Sequence, residues 1–174
     1  LQNPAAFHLG NVVLNALNVA LLFLCLRHAT RRFVLALAVA GVFSLLTVHV
    51  EPVCWVMGRK DMLAGFWMLL ALWAQSHELV DSDPRRRRAL YLVALLCTVL
   101  ALLSKLSAVS FFLVLGLHRA FHPYLDGTRA PDAPFSVVRA LREVTPRIAP
   151  HAALSLLYFV WYRSILLEWG VIGR

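Results

Sequence analysis

The sequence has few charged residues for its length. Only 15% of its 174 residues are charged, whereas 60% are hydrophobic, and the mean hydropathy is +0.72. Soluble domains are typically about 45–50% apolar and about 25% charged, so this composition argues against a soluble single domain. The apolar residues form blocks of roughly the 20 residues that cross a bilayer as a helix. Helices are favoured there because lipid offers the backbone no hydrogen-bond partners.

Cysteines are also few, and their number is odd. Of the three, Cys25 and Cys97 lie inside apolar blocks, where we expect small buried residues, and no disulfide framework is predicted. We predict no metal site, because His49 and Glu51 lack a third ligand at a clear spacing. The first residue is not Met and no secretory signal pattern precedes the first apolar block. We therefore expect a fragment whose upstream part is missing.

Acidic residues are outnumbered by basic ones, 9 against 17, which gives a net charge of +8. A charge of this size could indicate a nucleic-acid partner. The arginines, however, lie in short runs between apolar blocks, as expected of loops that fix membrane topology. We therefore predict a membrane lipid partner and no nucleic-acid partner.

The hydropathy pattern predicts an all-α, polytopic transmembrane helix bundle with about six passes. The predicted helices span residues 9–26, 33–50, 53–75, 89–104, 106–118 and 148–167, with a cytoplasmic surface loop at 119–147. The region 89–117 allows either one tilted helix containing Lys105 or two short helices that meet there. Two helices are favoured because a lysine at mid-bilayer costs about 2.5–3.5 kcal/mol. The single helix stays open as an alternative.

The basic residues are distributed unevenly between alternate loops. Three arginines lie at 27–32, four at 85–88 and five at 119–147, so twelve of the 17 basic residues share one side of a six-pass topology. Cytoplasmic loops are enriched in Lys and Arg, which places those loops inside and both chain ends outside. The opposite loops contain only Arg59, Lys60 and Lys105 before the C-terminal end.

This topology places the remaining polar residues at one membrane level, on the outer side. They are His8, Asn11, His49, Glu51, Arg59, Lys60, Asp61 and Lys105. Taken singly, the cations can extend to lipid headgroups, the acids can be helix-end charges and each histidine can make one structural hydrogen bond. Taken together, they predict a shared cavity for an anionic headgroup such as a lipid-linked phosphate, since Arg59 can bind it bidentately and the lysines can act as point charges.

Three segments resemble a known family. Residues 49–61 are similar to the signature His-Val-Glu-x-Val-x-Trp-Val-x-Gly-Arg-Lys-Asp of the transmembrane and tetratricopeptide-repeat protein O-mannosyltransferases, which belong to the GT-C glycosyltransferase superfamily. Asn3-Pro4 followed by Phe7-His8 and Asn11 resembles the entry of that family into a helix, and residues 102–105 resemble its Leu-Leu-Ser-Lys turn. The resemblance covers roughly residues 1–117.

The resemblance implies a GT-C-like fold and transfer of mannose from dolichyl phosphate mannose to Ser or Thr of secretory-pathway proteins. It implies that Arg59, Lys60 and Lys105 bind the donor phosphate and that His49 and Glu51 assist catalysis. In this interpretation His8, Asn11 and Asp61 shape the pocket. The catalytic acid of the family is expected upstream of residue 1, and its tetratricopeptide repeats are expected downstream. No firm cofactor is implied apart from the lipid-linked donor.

The expected location is the endoplasmic reticulum membrane, with a bacterial inner membrane as the alternative. A different function class also stays open: a non-catalytic membrane scaffold or a segment of a transporter. A transporter should show internal repeats or polar residues deep in several helices, whereas the polar residues here lie near helix ends.

Overall fold

The computed structural model describes residues 4–45, 58–128 and 136–169, with side chains from residue 8 onward. His49 and Glu51 therefore lie outside the described residues. The described chain forms six α-helices and one 3-10 helix. These are α1 (Pro4–Thr30), α2 (Phe33–Leu45), α3 (Arg59–Val80), α4 (Pro84–Ser104), the 3-10 helix (Leu106–Ser110), α5 (Phe111–Leu125) and α6 (Val137–Glu168).

Local sequence signals account for several helix ends. Asp83 caps α4 by accepting a hydrogen bond from the Arg85 N–H at 2.9 Å, and the proline that follows Asp83 suits the first helical position. Ser136 caps α6 in the same way, at 3.4 Å from the Arg139 N–H. The turn between α1 and α2 passes through Arg31, whose φ of 56° is left-handed. Capping by a left-handed residue is a common way to end a helix.

Contacts between helices show that α1, α3 and α5 run in one direction and α4 and α6 in the other. Successive residues of α1 meet successive turns of α3: Asn11 contacts Arg59, Asn18 contacts Met62 and Cys25 contacts Leu69. The α3–α4 pair is antiparallel, since it contains the ion pairs Asp61–Lys105 and Glu78–Arg87. The α3–α5 and α4–α6 pairs are parallel, as shown by Gln75–His118, Glu78–Arg119, Tyr91–Arg147 and Thr98–His151.

The interior of this bundle consists mostly of small and polar side chains. Buried alanines occur in α1, α2, α3, α4 and the 3-10 helix, and buried polar residues lie among them, including Asn18, Thr98 and Ser155. Many large apolar side chains point outward, as in α2, where Val34 is 76% exposed, although a few such as Phe111 and Leu115 are buried. Membrane helices pack through small residues and interhelical hydrogen bonds while their apolar side chains face lipid. This distribution favours a membrane-embedded bundle.

Two described helices are long and apolar enough to cross a membrane, His8–Thr30 with mean hydropathy 2.1 and Pro84–Ser104 with mean hydropathy 1.7. Only 17% and 28% of these stretches are buried inside the bundle, whereas a core helix of a soluble protein would be mostly buried. Six passes were predicted. The other helices do not reach the same length and hydropathy, because α2 is described for 13 residues, α5 has 15, and α3 and α6 contain several charged residues.

The helix boundaries differ from the predicted ones, most clearly at the predicted loop 119–147. Helix α5 continues to Leu125 and α6 already begins at Val137, so much of that region is helical. The prediction placed too much weight on prolines, which often end helices. Here Pro123 lies inside α5, and Pro146 and Pro150 lie inside α6 on its exposed side.

Candidate functional site

The two ends of the bundle differ in chemistry. We call the end that contains the N-termini of α1 and α3 and the C-terminus of α4 the Lys105 end. We call the opposite end the Glu78 end. Most arginines of the described chain lie toward the Glu78 end: Arg27, Arg31, Arg32, Arg85, Arg86, Arg87, Arg88, Arg119, Arg139, Arg142 and Arg147.

A break in the helix places Lys105 at the end of α4. Its φ of −155° and ψ of 134° are extended, its N–H donates to the Ala101 carbonyl at 3.0 Å, and its own carbonyl accepts from the Ala108 N–H at 3.1 Å. The helix thus ends at Ser104 and a 3-10 turn follows. This is the position at which the two-helix interpretation of 89–117 places the turn, rather than the single long helix.

Lys105 forms an ion pair with Asp61 in the first turn of α3. The side chains are 41% and 29% exposed, so the pair is reachable from outside the bundle. A carboxylate in the first turn also interacts favourably with the helix dipole. Asp61 therefore fixes the Lys105 ammonium group above the start of α3.

Arg59 is held against α1. Its Nε donates to the Oδ1 of Asn11 at 3.4 Å, and Asn11 is only 1% exposed. A Cβ atom built on Gly10 would lie 2.7 Å from the Nη2 of Arg59. Because that separation is shorter than side-chain contacts allow, the missing side chain of Gly10 leaves the space that the guanidinium group occupies.

The next turn of the α1–α3 contact locks the two helices in register. The amide Nδ2 of Asn18 donates to the Met62 carbonyl at 3.0 Å in a buried position. A Cβ atom on Gly65 would lie 3.4 Å from the same amide nitrogen, an ordinary contact at its tight limit. The buried hydrogen bond therefore supports the placement of Arg59 and Asp61, which lie in the turn above it.

Four of the predicted site residues form two contact pairs at the Lys105 end. They are Asn11, Arg59, Asp61 and Lys105. His8 and Lys60 are exposed on the same helices. Among these described residues, three cations and one carboxylate leave a net charge of +2. The described chain contains no group of three His, Cys, Asp or Glu side chains that could bind a metal ion.

Sequence reasoning missed a second polar cluster, centred on Glu78. This carboxylate is 1% exposed and accepts two hydrogen bonds from Arg119, at 2.6 and 3.3 Å. Arg147 and Arg87 lie 3.8 and 3.9 Å away. Charges buried in an apolar setting are normally paired. Glu78 is the single acidic residue between Asp61 and Asp81, and that isolation within an apolar helix was the available signal.

Two sets of hydrogen bonds between helices, one part-buried and one buried, also escaped prediction. The two ring nitrogens of His118 lie 3.0 Å from the Oε1 of Gln75 and 3.2 Å from the Oγ of Ser76, which joins α5 to α3. The Nδ1 of His151 lies 2.8 Å from the hydroxyl of Thr98, which joins α6 to α4. These contacts tie the helices together between the two ends.

The described residues form an all-helical bundle with two helices long and apolar enough to cross a membrane and with a net positive group of polar side chains at its Lys105 end. No protein-family model and no solved structure matches the chain. Several curated proteins, in contrast, are similar to part of the chain. The chain is 25% identical over 152 residues to Protein O-mannosyl-transferase Tmtc1 of Drosophila melanogaster, a match that covers 83% of this chain and 17% of that protein.

Two mammalian proteins are similar over shorter stretches. Protein O-mannosyl-transferase TMTC1 of Mus musculus is 37% identical over 71 residues, which cover 40% of this chain and 8% of that protein. The Homo sapiens TMTC1 is 32% identical over 79 residues, which cover 45% and 9%. The matched stretches thus correspond to less than a fifth of the length of each relative. The chain is related over part of its length to proteins named as O-mannosyltransferases.

Proposed function

We propose that this chain is part of the membrane domain of a GT-C-type protein O-mannosyltransferase and that the Lys105 end binds the phosphate of its lipid-linked donor. One observation supports this most strongly: Arg59 and Lys105, from segments that resemble the family, lie around the start of α3 and are each held by a neighbouring side chain. A helix N-terminus adds further attraction for an anion. Gly58, at the cap position, makes no side-chain capping bond.

The donor class follows from this chemistry. A guanidinium group can bind two phosphate oxygens, and an ammonium group supplies a mobile point charge. In the proposed transfer from dolichyl phosphate mannose, a carboxylate base takes the proton of an acceptor Ser or Thr hydroxyl. The hydroxyl oxygen bonds to C1 of mannose while the bond from C1 to the phosphate oxygen breaks. Dolichyl phosphate leaves with the electron pair.

Arg59, Lys60 and Lys105 act on the leaving group in this scheme, since its negative charge increases as the bond breaks and fixed cations stabilise it. His49 and Glu51 assist proton movement, and His8, Asn11 and Asp61 shape the pocket. The carboxylate base comes from a part of the protein upstream of this chain.

The proposal includes six membrane passes with the Lys105 end facing the lumen of the endoplasmic reticulum. The alternating helix directions support it, and so does the concentration of arginines toward the Glu78 end, since cytoplasmic loops are enriched in basic residues. The acceptor would be a secretory-pathway protein that reaches the site from the lumen.

Substitution of the two cations tests the site. In the full-length protein, Arg59→Ala and Lys105→Ala are each expected to reduce turnover of dolichyl phosphate mannose roughly 10²-fold to 10³-fold, the usual effect of removing one group that stabilises a developing anion. Membrane insertion should be unchanged, because both side chains lie at a helix end. Radiolabelled mannose transfer to an acceptor peptide measures turnover.

Arg163→Ala provides the control, since Arg163 is an exposed cation of α6, and no hydrogen bond or ion pair joins it to Asn11, Arg59, Asp61 or Lys105 in the described part of the chain. It should transfer mannose at the normal rate. Normal turnover in both site variants would remove Arg59 and Lys105 from the donor site. Correct insertion without any turnover by the unmodified protein would favour the non-catalytic scaffold.

A further inference from the structure

A second basic site lies at the Glu78 end, between α1, α3 and α4. Two adjoining clefts of about 450 and 500 Å³ open there. Both are lined by His28 and His77, whose rings stack at 4.1 Å between centroids. The stacked pair therefore forms a wall common to the two clefts.

Cationic side chains are among the residues that line both clefts. Arg27 and Arg31 line the first cleft, and Arg86 lines the second. The acidic residue there is Asp81, in the second cleft, and its carboxylate already accepts the Asp83 N–H at 2.8 Å. Three arginines and one aspartate give a net charge of +2, which favours an anionic ligand.

Each cleft also has apolar lining residues. Leu24 and Trp73 line the first cleft one to two turns below Arg31, and Leu90 and Val93 line the second at least one turn below Arg86. A ligand that fits both clefts is thus negatively charged at the level of the helix ends and apolar deeper in the bundle. Basic pockets between membrane helices on the cytoplasmic side typically bind lipid headgroups.

The backbone at Arg31 gives an independent indication. Arg31 has a φ of 56°, a left-handed conformation that costs a residue with a side chain roughly 1–2 kcal/mol and that glycine adopts freely. Glycine would therefore suit the turn better if only the turn mattered. An arginine in strained backbone at the mouth of a basic cleft is the kind of outlier that marks a functional position.

We propose that these clefts bind the headgroup of an anionic phospholipid of the cytoplasmic leaflet, with one acyl chain along each apolar wall. The Arg27, Arg31 and Arg86 guanidinium groups contact the phosphate. This site is separate from the donor site at the Lys105 end and shares with that proposal only the membrane-spanning placement of α1, α3 and α4.

Trp73 provides the probe for the experiment. The full-length protein is placed in nanodiscs, and quenching by brominated phosphatidylglycerol is compared with quenching by brominated phosphatidylcholine. The difference between the unmodified protein and Trp73→Phe isolates the signal of this residue. We expect a preference for phosphatidylglycerol that falls roughly fivefold in Arg31→Gly and again in the double variant with Arg86→Gln.

Arg88→Gln is the matched control, because it removes the same charge from an exposed position of α4 that does not line either cleft. It should keep the preference. Arg31→Gly should fold at least as well as the unmodified protein, so a lost preference cannot be assigned to misfolding. An equal loss in Arg88→Gln, or no preference in the unmodified protein, would overturn the proposal. Displacement of the lipid by inorganic phosphate would identify a free-phosphate site and overturn it as well.

The result of the quenching experiment does not depend on the donor site at the Lys105 end. Mannose transfer should be unaffected by Arg31→Gly in the same nanodiscs, and the lipid preference should persist in Lys105→Ala. A lost lipid preference would leave the transferase proposal intact, and a failed transfer assay would leave the lipid site intact.

Discussion

Replacing Glu78 with glutamine is expected to lower the free energy of unfolding by about 3–5 kcal/mol. Glutamine preserves the shape of the side chain but removes the charge that Arg119 contacts at 2.6 Å, and the Arg119 side chain is only 11% exposed. An uncompensated buried charge remains, which costs more than the intact pair contributes. Chemical denaturation of the full-length protein in detergent, followed by circular dichroism, measures the change.

Glu143→Gln is the control for the Glu78 variant. Glu143 pairs with Arg139 at 3.5 Å on α6, but the side chains are 58% and 66% exposed, so this ion pair is screened by water. Its loss should cost only about 0.2–1 kcal/mol. Equal destabilisation by the two variants would show that the Glu78 cluster does not hold α3, α4, α5 and α6 together.

Replacing Gly10 with alanine is expected to lower mannose transfer roughly 10²-fold while the protein remains folded. The new methyl group would occupy space 2.7 Å from the Nη2 of Arg59 and push the guanidinium group away from its position beside Asn11. A displacement of about 1 Å in a positioning group can cost 10²-fold in rate. The variant should remain folded because the displaced atoms are at the flexible end of the Arg59 side chain. In addition, alanine is more favourable than glycine in a helix by roughly 0.5–1 kcal/mol.

Gly41→Ala is the matched control for this substitution. Gly41 lies inside α2, and a Cβ atom there would have no neighbour within 4 Å among the described residues. Both variants gain the same helix propensity, but only Gly10→Ala displaces Arg59. Transfer assays in parallel with thermal unfolding separate the two effects. Full activity of Gly10→Ala would show that the position of Arg59 beside α1 is unimportant.

The sequence predicted the positions of the helices better than their ends. Hydropathy locates a buried or lipid-facing block, but the ends depend on caps such as Ser136 and on whether a proline can remain inside a helix. Pro146 and Pro150 do so in α6, so the helix begins eleven residues before the predicted start at 148. Polar residues near both ends of α3 lower its mean hydropathy. For that reason α3 is not identified from its composition as a helix that crosses the membrane.

Part of the site could be predicted from the sequence, because its residues lie at helix ends. Helices that alternate in direction across a membrane place those ends on the same side. The structure places Arg59 against Asn11 and Lys105 against Asp61 at this end of the bundle, whereas their predicted role in binding a phosphate stays a prediction. The pairing of Asp61 with Lys105, in contrast, depends on how close α3 and α4 approach. The cluster around Glu78 is formed by side chains from four helices, and no sequence pattern within one segment predicts that these side chains are in contact. The space left by Gly10 likewise becomes visible only in three dimensions.

The orientation of the two ends across the membrane is the claim on which the remaining inferences depend. It is tested most directly with N-glycosylation tags inserted into the full-length protein at two exposed turns, Ser107 beside Lys105 and Gly127 after α5. In microsomes, we expect the tag at Ser107 to be glycosylated and the tag at Gly127 to remain unmodified. Glycosylation at Gly127 would place the arginine-rich end in the lumen and contradict the account.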